Sequence, residues 1–104
     1  MKLILIIVGI TVCSLSTPAL ADGLDYTRKA GCMNCHAVDR KVVGPSFKDV
    51  AAKYKDDATA EAKLLKKVLN GGYGVWGKMR MPANRGKMTD QEFKTIVSWI
   101  LSLK

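Results

Sequence analysis

Two cysteines three positions apart, followed at once by a histidine, stand at Cys32-Met33-Asn34-Cys35-His36. Nothing else in the chain limits its fold so tightly. On a helical turn, residues i, i+3 and i+4 share one face, so Cys32, Cys35 and His36 point the same way. Two thiols so placed can add to the two vinyl groups of one porphyrin while the imidazole reaches its iron. This is the attachment pattern of c-type haem.

The start of the chain reads as an export signal. Met1-Lys2 is a short basic region, Leu3 to Cys13 is an apolar run of eleven residues, and Ser14 to Ala21 turns small and polar, with Pro18 and an Ala19-Leu20-Ala21 ending. That pattern suits signal peptidase, and cleavage is expected after Ala21. A membrane span needs about 20 apolar residues, so the run is too short for a stable anchor. Cys13 could suggest lipidation, but Thr11-Val12 lack the small residue expected beside a lipidated cysteine. Residues 1–21 are therefore read as a cleaved signal peptide and residues 22–104 as one domain. A domain this small often needs a staple, a metal or a cofactor at its centre. Without Lys2 and Cys13 it keeps sixteen Lys and Arg against nine Asp and Glu, and two of three cysteines. Its positive charge suits steering towards acidic partner surfaces. Nucleic acid is not expected of an exported chain without a binding motif.

No repeat or low-complexity tract interrupts residues 22–104, and four helices can be read. The first runs roughly from Leu24 to Ala30, with Asp22 or Asp25 near its start and Gly31 past its end. Val42-Val43-Gly44-Pro45 reads as a loop, because Pro45 disfavours helix in the residue before it. Ser46 caps a second helix whose Phe47, Val50, Ala51 and Tyr54 form one apolar face. Thr59 begins a third, with Leu64, Leu65, Val68 and Leu69 as its buried stripe, Lys66 and Lys67 near its C-terminus and Gly71-Gly72 as its stop. Thr89-Asp90-Gln91-Glu92 is a capping box, and Phe93, Ile96, Val97, Ile100 and Leu101 follow at helical spacing. Residues 71–88 show no periodicity and no strand pattern, so they read as a long loop, which in so small a domain is usually functional. The fold class expected is all-α.

An iron held by His36 needs a sixth ligand, and centres that carry electrons commonly use methionine sulfur. The sequence holds five methionines. Met1 belongs to the signal, and Met33 lies too close to the attachment turn to cross the ring. Met88 precedes the capping Thr89 and can staple to Phe93. Met79 and Met81 remain, both in the long loop. Pro82 stiffens the segment after Met81 and holds that residue extended, and Asn84 is placed to offer a side-chain N–H near the sulfur. Met81 is the expected ligand and Met79 the second candidate.

With these residues in view, the chain resembles the bacterial class I cytochromes c, the short single-haem periplasmic carriers of the c-551/c-552 type. Gly31-Cys32-Met33-Asn34-Cys35-His36 matches the attachment turn of that family. Val43-Gly44-Pro45 with Lys48-Asp49-Val50-Ala51-Ala52-Lys53-Tyr54 matches its second segment. Asn70-Gly71-Gly72-Tyr73-Gly74-Val75-Trp76-Gly77 and Met81-Pro82-Ala83-Asn84 match its ligand loop, and Val97-Ser98-Trp99-Ile100-Leu101 its last helix. The resemblance implies a small class I fold of about four helices around one haem c, bound through Cys32 and Cys35. It implies that the Pro45 carbonyl holds the His36 ring N–H, that the Trp76 indole N–H meets a haem propionate, and that Lys67 lies near the same propionates. Trp99 is read as packing only. The family often has prolines on both sides of the ligand methionine, whereas Lys78-Met79-Arg80 stands before Met81 here. That should make the loop less rigid and more cationic, with Met79 as a misligating sulfur.

The function expected is a soluble periplasmic electron carrier, monomeric and not an enzyme. Its iron would be held by His36 and Met81, and its exposed haem edge ringed by Lys41, Lys78, Arg80, Arg85 and Lys87. The partners expected are redox proteins with acidic docking surfaces, a quinol-oxidising complex upstream and a terminal oxidase or reductase downstream. Two rival classes stand beside this reading. A haem-based gas binder or sensor would keep a labile sixth position, and a thiol–disulfide oxidoreductase would use Cys32 and Cys35 as its redox pair. Against the second, no βαβ pattern surrounds the motif.

Overall fold

The computed structural model describes residues 8–12 and 19–104. Most of the expected signal peptide, including Cys13, lies outside the described residues, and among those described no helix is long and apolar enough to cross a membrane. Four helices are present: α1 (Ala19–Lys29), α2 (Phe47–Tyr54), α3 (Ala60–Asn70) and α4 (Asp90–Leu101). A 3-10 turn, Cys32–Asn34, follows α1, and two strands, β1 (Gly72–Gly74) and β2 (Gly77–Met81), lie between α3 and α4.

The last helix organises the rest. Thr89 accepts from the backbone N–H of Glu92, and the Glu92 carboxylate accepts from that of Thr89, so the expected capping box is complete. The side chains of Phe93, Ile96 and Val97 are fully buried, and Ile100 and Trp99 nearly so. Met88 packs against the cluster containing Phe93, as the staple requires. The first helix crosses this core at Gly23, where a Cβ atom would come within 2.2 Å of Trp99 Cβ. Only a residue without a side chain lets the two backbones meet there. Thr27, also fully buried, satisfies its hydroxyl by donating to the Gly23 carbonyl at 2.6 Å.

The second and third helices close the remaining sides. Ser46 caps α2 by accepting from the Asp49 N–H at 3.0 Å, and Phe47, Val50 and Ala51 are buried as the apolar face predicts. Thr59 stands at the start of α3, but Asp57 does the local hydrogen bonding. Its carboxylate accepts from the Thr59 N–H, the Thr59 hydroxyl and Lys63 Nζ. Those bonds, the Lys63 ammonium first among them, hold the Asp57 carboxyl at about 2.

The stretch after α3 differs from the sequence expectation. Residues 72–81 are not a structureless loop but an antiparallel hairpin, with Gly72 opposite Met81 and Gly74 opposite Gly77 around a two-residue turn at Val75-Trp76. The register slips between Gly72 and Gly74. Irregular pairing of this kind bends a short ribbon and increases its twist. The fold is thus mostly helical with one small sheet.

Candidate functional site

A single apolar cleft of about 240 Å³ gathers the residues singled out by the sequence. The attachment turn contributes Cys32, Cys35 and His36, the hairpin contributes Trp76, Met79 and Met81, and Pro45 and Lys67 also line it. Val50, Leu64, Val68, Ile96, Val97 and Ile100 supply the apolar lining from three helices.

The attachment turn behaves as the spacing predicts. The N–H groups of Cys35 and His36 both donate to the Cys32 carbonyl, at 3.2 and 3.0 Å, so one turn of helix presents the three side chains together. Cys32 and Cys35 are not joined to each other in a disulfide. Burial pushes the Cys32 thiol up, against the opposing pull of a backbone hydrogen bond and the Lys87 charge.

His36 is fixed on several sides. Its Nδ1 lies 2.7 Å from the Pro45 carbonyl oxygen. A carbonyl can only accept, so Nδ1 carries the proton and the Nε2 lone pair is left for a metal. Phe47 stacks on the ring at 5.1 Å and 24°. The backbone of Gly44 lies so close that a Cβ atom there would fall 2.4 Å from His36 Cε1. The N–H groups of Val43 and Gly44 donate to the Cys35 carbonyl at 3.1 and 2.7 Å, which holds that backbone in place. Sequence reasoning missed Gly44 and the stacking role of Phe47. The signal available was a glycine before Pro45, where a backbone carbonyl must approach a side chain.

The two candidate sulfurs are distinguishable. Met79 and Met81 are two apart on β2 and share a face, and both line the cleft. Met79 is 71% exposed, whereas Met81 is half-buried and packs against the hydrophobic core. Trp76 sits at the hairpin turn, 44% exposed, with Lys53 Nζ 5.6 Å from its ring centre. Lys67 lies across β1, its Nζ within 2.7 Å of where a Cβ of Gly72 would stand.

Asn84 stands between the loop and α3. It is 6% exposed, and its amide group donates to the carbonyls of Val68 at 3.1 Å and Pro82 at 3.4 Å. These bonds fasten the loop to α3. The basic rim is divided. Lys41 and Arg80 line the cleft, but Arg85 bonds to Asn70 and Lys87 to Asn84.

Two thiols, an imidazole with a free Nε2, a half-buried thioether and an apolar lining are the donor set and surroundings that a covalently held haem requires. The residues present fit that group.

Comparison with known proteins agrees. The model of the cytochrome c family matches residues 20–104. The chain is 45% identical over 93 residues to cytochrome c-551 of Allochromatium vinosum, which spans 89% of this chain and 97% of that protein. It is 48% identical over 77 residues to cytochrome c-551 of Pseudomonas aeruginosa, covering 74% of this chain and 72% of that one. The crystal structure of Nitrosomonas europaea cytochrome c552 superposes with a TM-score of 0.74 at 44% identity, over 78% of this chain and 99% of the other. Likeness of this extent, in sequence and backbone alike, makes the chain a member of the cytochrome c family, with Cys32 and Cys35 as its thiols for covalently attached haem.

Proposed function

We propose that this cytochrome c is a soluble periplasmic one-electron carrier in which His36 and Met81 would hold the haem iron. The haem supplies an iron that accepts and returns one electron. The observation that carries the reading is the His36–Pro45 hydrogen bond, which fixes the tautomer that leaves Nε2 free. The Pro45 carbonyl also raises the basicity of the imidazole, as outer partners of metal-bound histidines do.

Each surrounding residue then has a definite task. The soft thioether of Met81 favours the reduced state, and the apolar lining penalises the extra positive charge of the oxidised one. Trp76, through its indole N–H, and Lys67, through its ammonium, both lining the cleft, would hold the haem propionates. Residues 1–21 act as the export signal removed after Ala21, which delivers the domain to the periplasm.

The test is an absorption spectrum of the oxidised protein. The weak far-red band of iron–methionine sulfur bonding is expected in the parent and in Met79→Ala, and absent in Met81→Ala. A band that survives in Met81→Ala would overturn the assignment.

Partners dock through the cleft mouth, where Lys41 and Arg80 lie beside the exposed Tyr73, Val75 and Trp76. An acidic quinol-oxidising complex upstream and an acidic terminal oxidase or reductase downstream fit this surface. Charge steering raises association rates by about 10- to 1,000-fold at low salt. Electron transfer with an acidic redox protein, followed by stopped flow, is therefore expected to slow by about tenfold or more as salt screens the pair. An association rate indifferent to ionic strength would remove the steering.

A further inference from the structure

The hairpin that carries Met81 leaves α3 and returns to the place it left. The Asn84 and Arg85 N–H groups donate to the carbonyls of Val68 and Leu69, both at 3.1 Å. Those carbonyls belong to the last turn of α3, which no intrahelical donor reaches. The Asn84 amide adds a second bond to the Val68 carbonyl at 3.1 Å. Outside this buried pair, Arg85 Nη2 donates to the Oδ1 of Asn70, the final residue of the helix, at 2.9 Å. Between the two strands of this closure lies Gly71, at φ +70°, where a Cβ atom would fall 2.4 Å from the Met81 carbonyl oxygen. Residues 71–85 are therefore a loop tied at its base, and Met81 stands a few residues from the knot.

We propose that the Asn70–Arg85 hydrogen bond is a clasp that keeps Met81 seated at the cleft, which makes Asn70 and Arg85 positioning residues for the sixth ligand. The proposal rests on Met81 as that ligand. Opening of the loop needs the base to part, and the Asn70–Arg85 bond adds to the backbone bonds there, while beyond the base the hairpin meets the body through Met81, the apolar cleft and the Lys53 contact with Trp76. A lost clasp raises the population of the open loop, and an outside ligand gains access to the iron in proportion. Arg85 thereby has a task separate from docking, since its guanidinium already serves Asn70.

The experiment titrates the oxidised, haem-loaded protein with imidazole at a mildly alkaline pH, where imidazole is neutral, and follows the far-red band. Arg85→Ala and Asn70→Ala are each expected to take up imidazole about two- to tenfold more tightly than the parent, the range set by the net worth of one hydrogen bond. The double variant should go no further than either single one, because both remove the same bond. Lys94→Ala, which removes a charge elsewhere, should titrate like the parent. Single variants that melt earlier but bind imidazole like the parent would overturn the clasp and leave Arg85 a merely structural group. A parent without the far-red band would instead overturn Met81 as ligand, and the clasp with it.

Discussion

Gly44→Ala is expected to cripple the haem site while leaving the helices in place. The added methyl would stand 2.4 Å from His36 Cε1 and 2.9 Å from Nδ1. The ring has little room to yield, because Phe47 already stacks on it. Overpacking of this kind costs about 1–3 kcal/mol, and the displaced imidazole also loses its bond to Pro45, a further loss of about 0.5–1.5 kcal/mol. The expected outcome is a holoprotein with a weakened or absent iron–His36 bond, seen as an altered oxidised spectrum and a shifted potential, with helical circular dichroism near that of the parent. A Gly44→Ala protein with the parent spectrum would mean that this close approach does not set the ring.

Phe93→Ala has the opposite signature, because it removes fold stability rather than site geometry. Phe93 is fully buried in α4 and belongs to the cluster that meets α2, α3 and Trp99. Truncation of a buried phenylalanine costs about 3–5 kcal/mol. For a domain of this size each kcal/mol lowers the melting temperature by about 4–8 °C. The total stability of such a domain is about 5–15 kcal/mol, so the truncation removes about a fifth of it or more. Thermal melts of the holoprotein measure this directly. A melting point within a few degrees of the parent would show that the core closes around the gap.

These two residues also mark what could be read from the sequence. The buried face of α4 was legible because its signals agree: a capping box, a staple and an apolar stripe all place the same twelve residues. The attachment turn was legible because its chemistry demands one spacing. Met81 stood out against Met79 through Pro82, and the two differ in burial in the same sense. The hairpin was not legible. Gly72, Tyr73 and Gly74 pair with a strand of Gly77, Lys78, Met79, Arg80 and Met81, and neither alternates apolar with polar in the way a strand on a core does. What fixes it is the return of the chain to α3, a long-range contact that no local pattern announces. Asn84 shows the same limit. Its type and spacing pointed to the sulfur, whereas its bonds to the Val68 and Pro82 carbonyls, which join the loop to α3, had no local signal. Gly44 escaped notice for a related reason, since a missing side chain matters only once its neighbour is known.

The meeting of α1 and α4 at Gly23 and Trp99 has a consequence for how the molecule comes into being. The first helix packs mainly on α4, some seventy positions downstream, so it stays unsheltered until that distant pairing forms. Ring closure over that distance is slow compared with local winding. The thiols just after that helix therefore stay accessible for as long as the long-range pairing has yet to form.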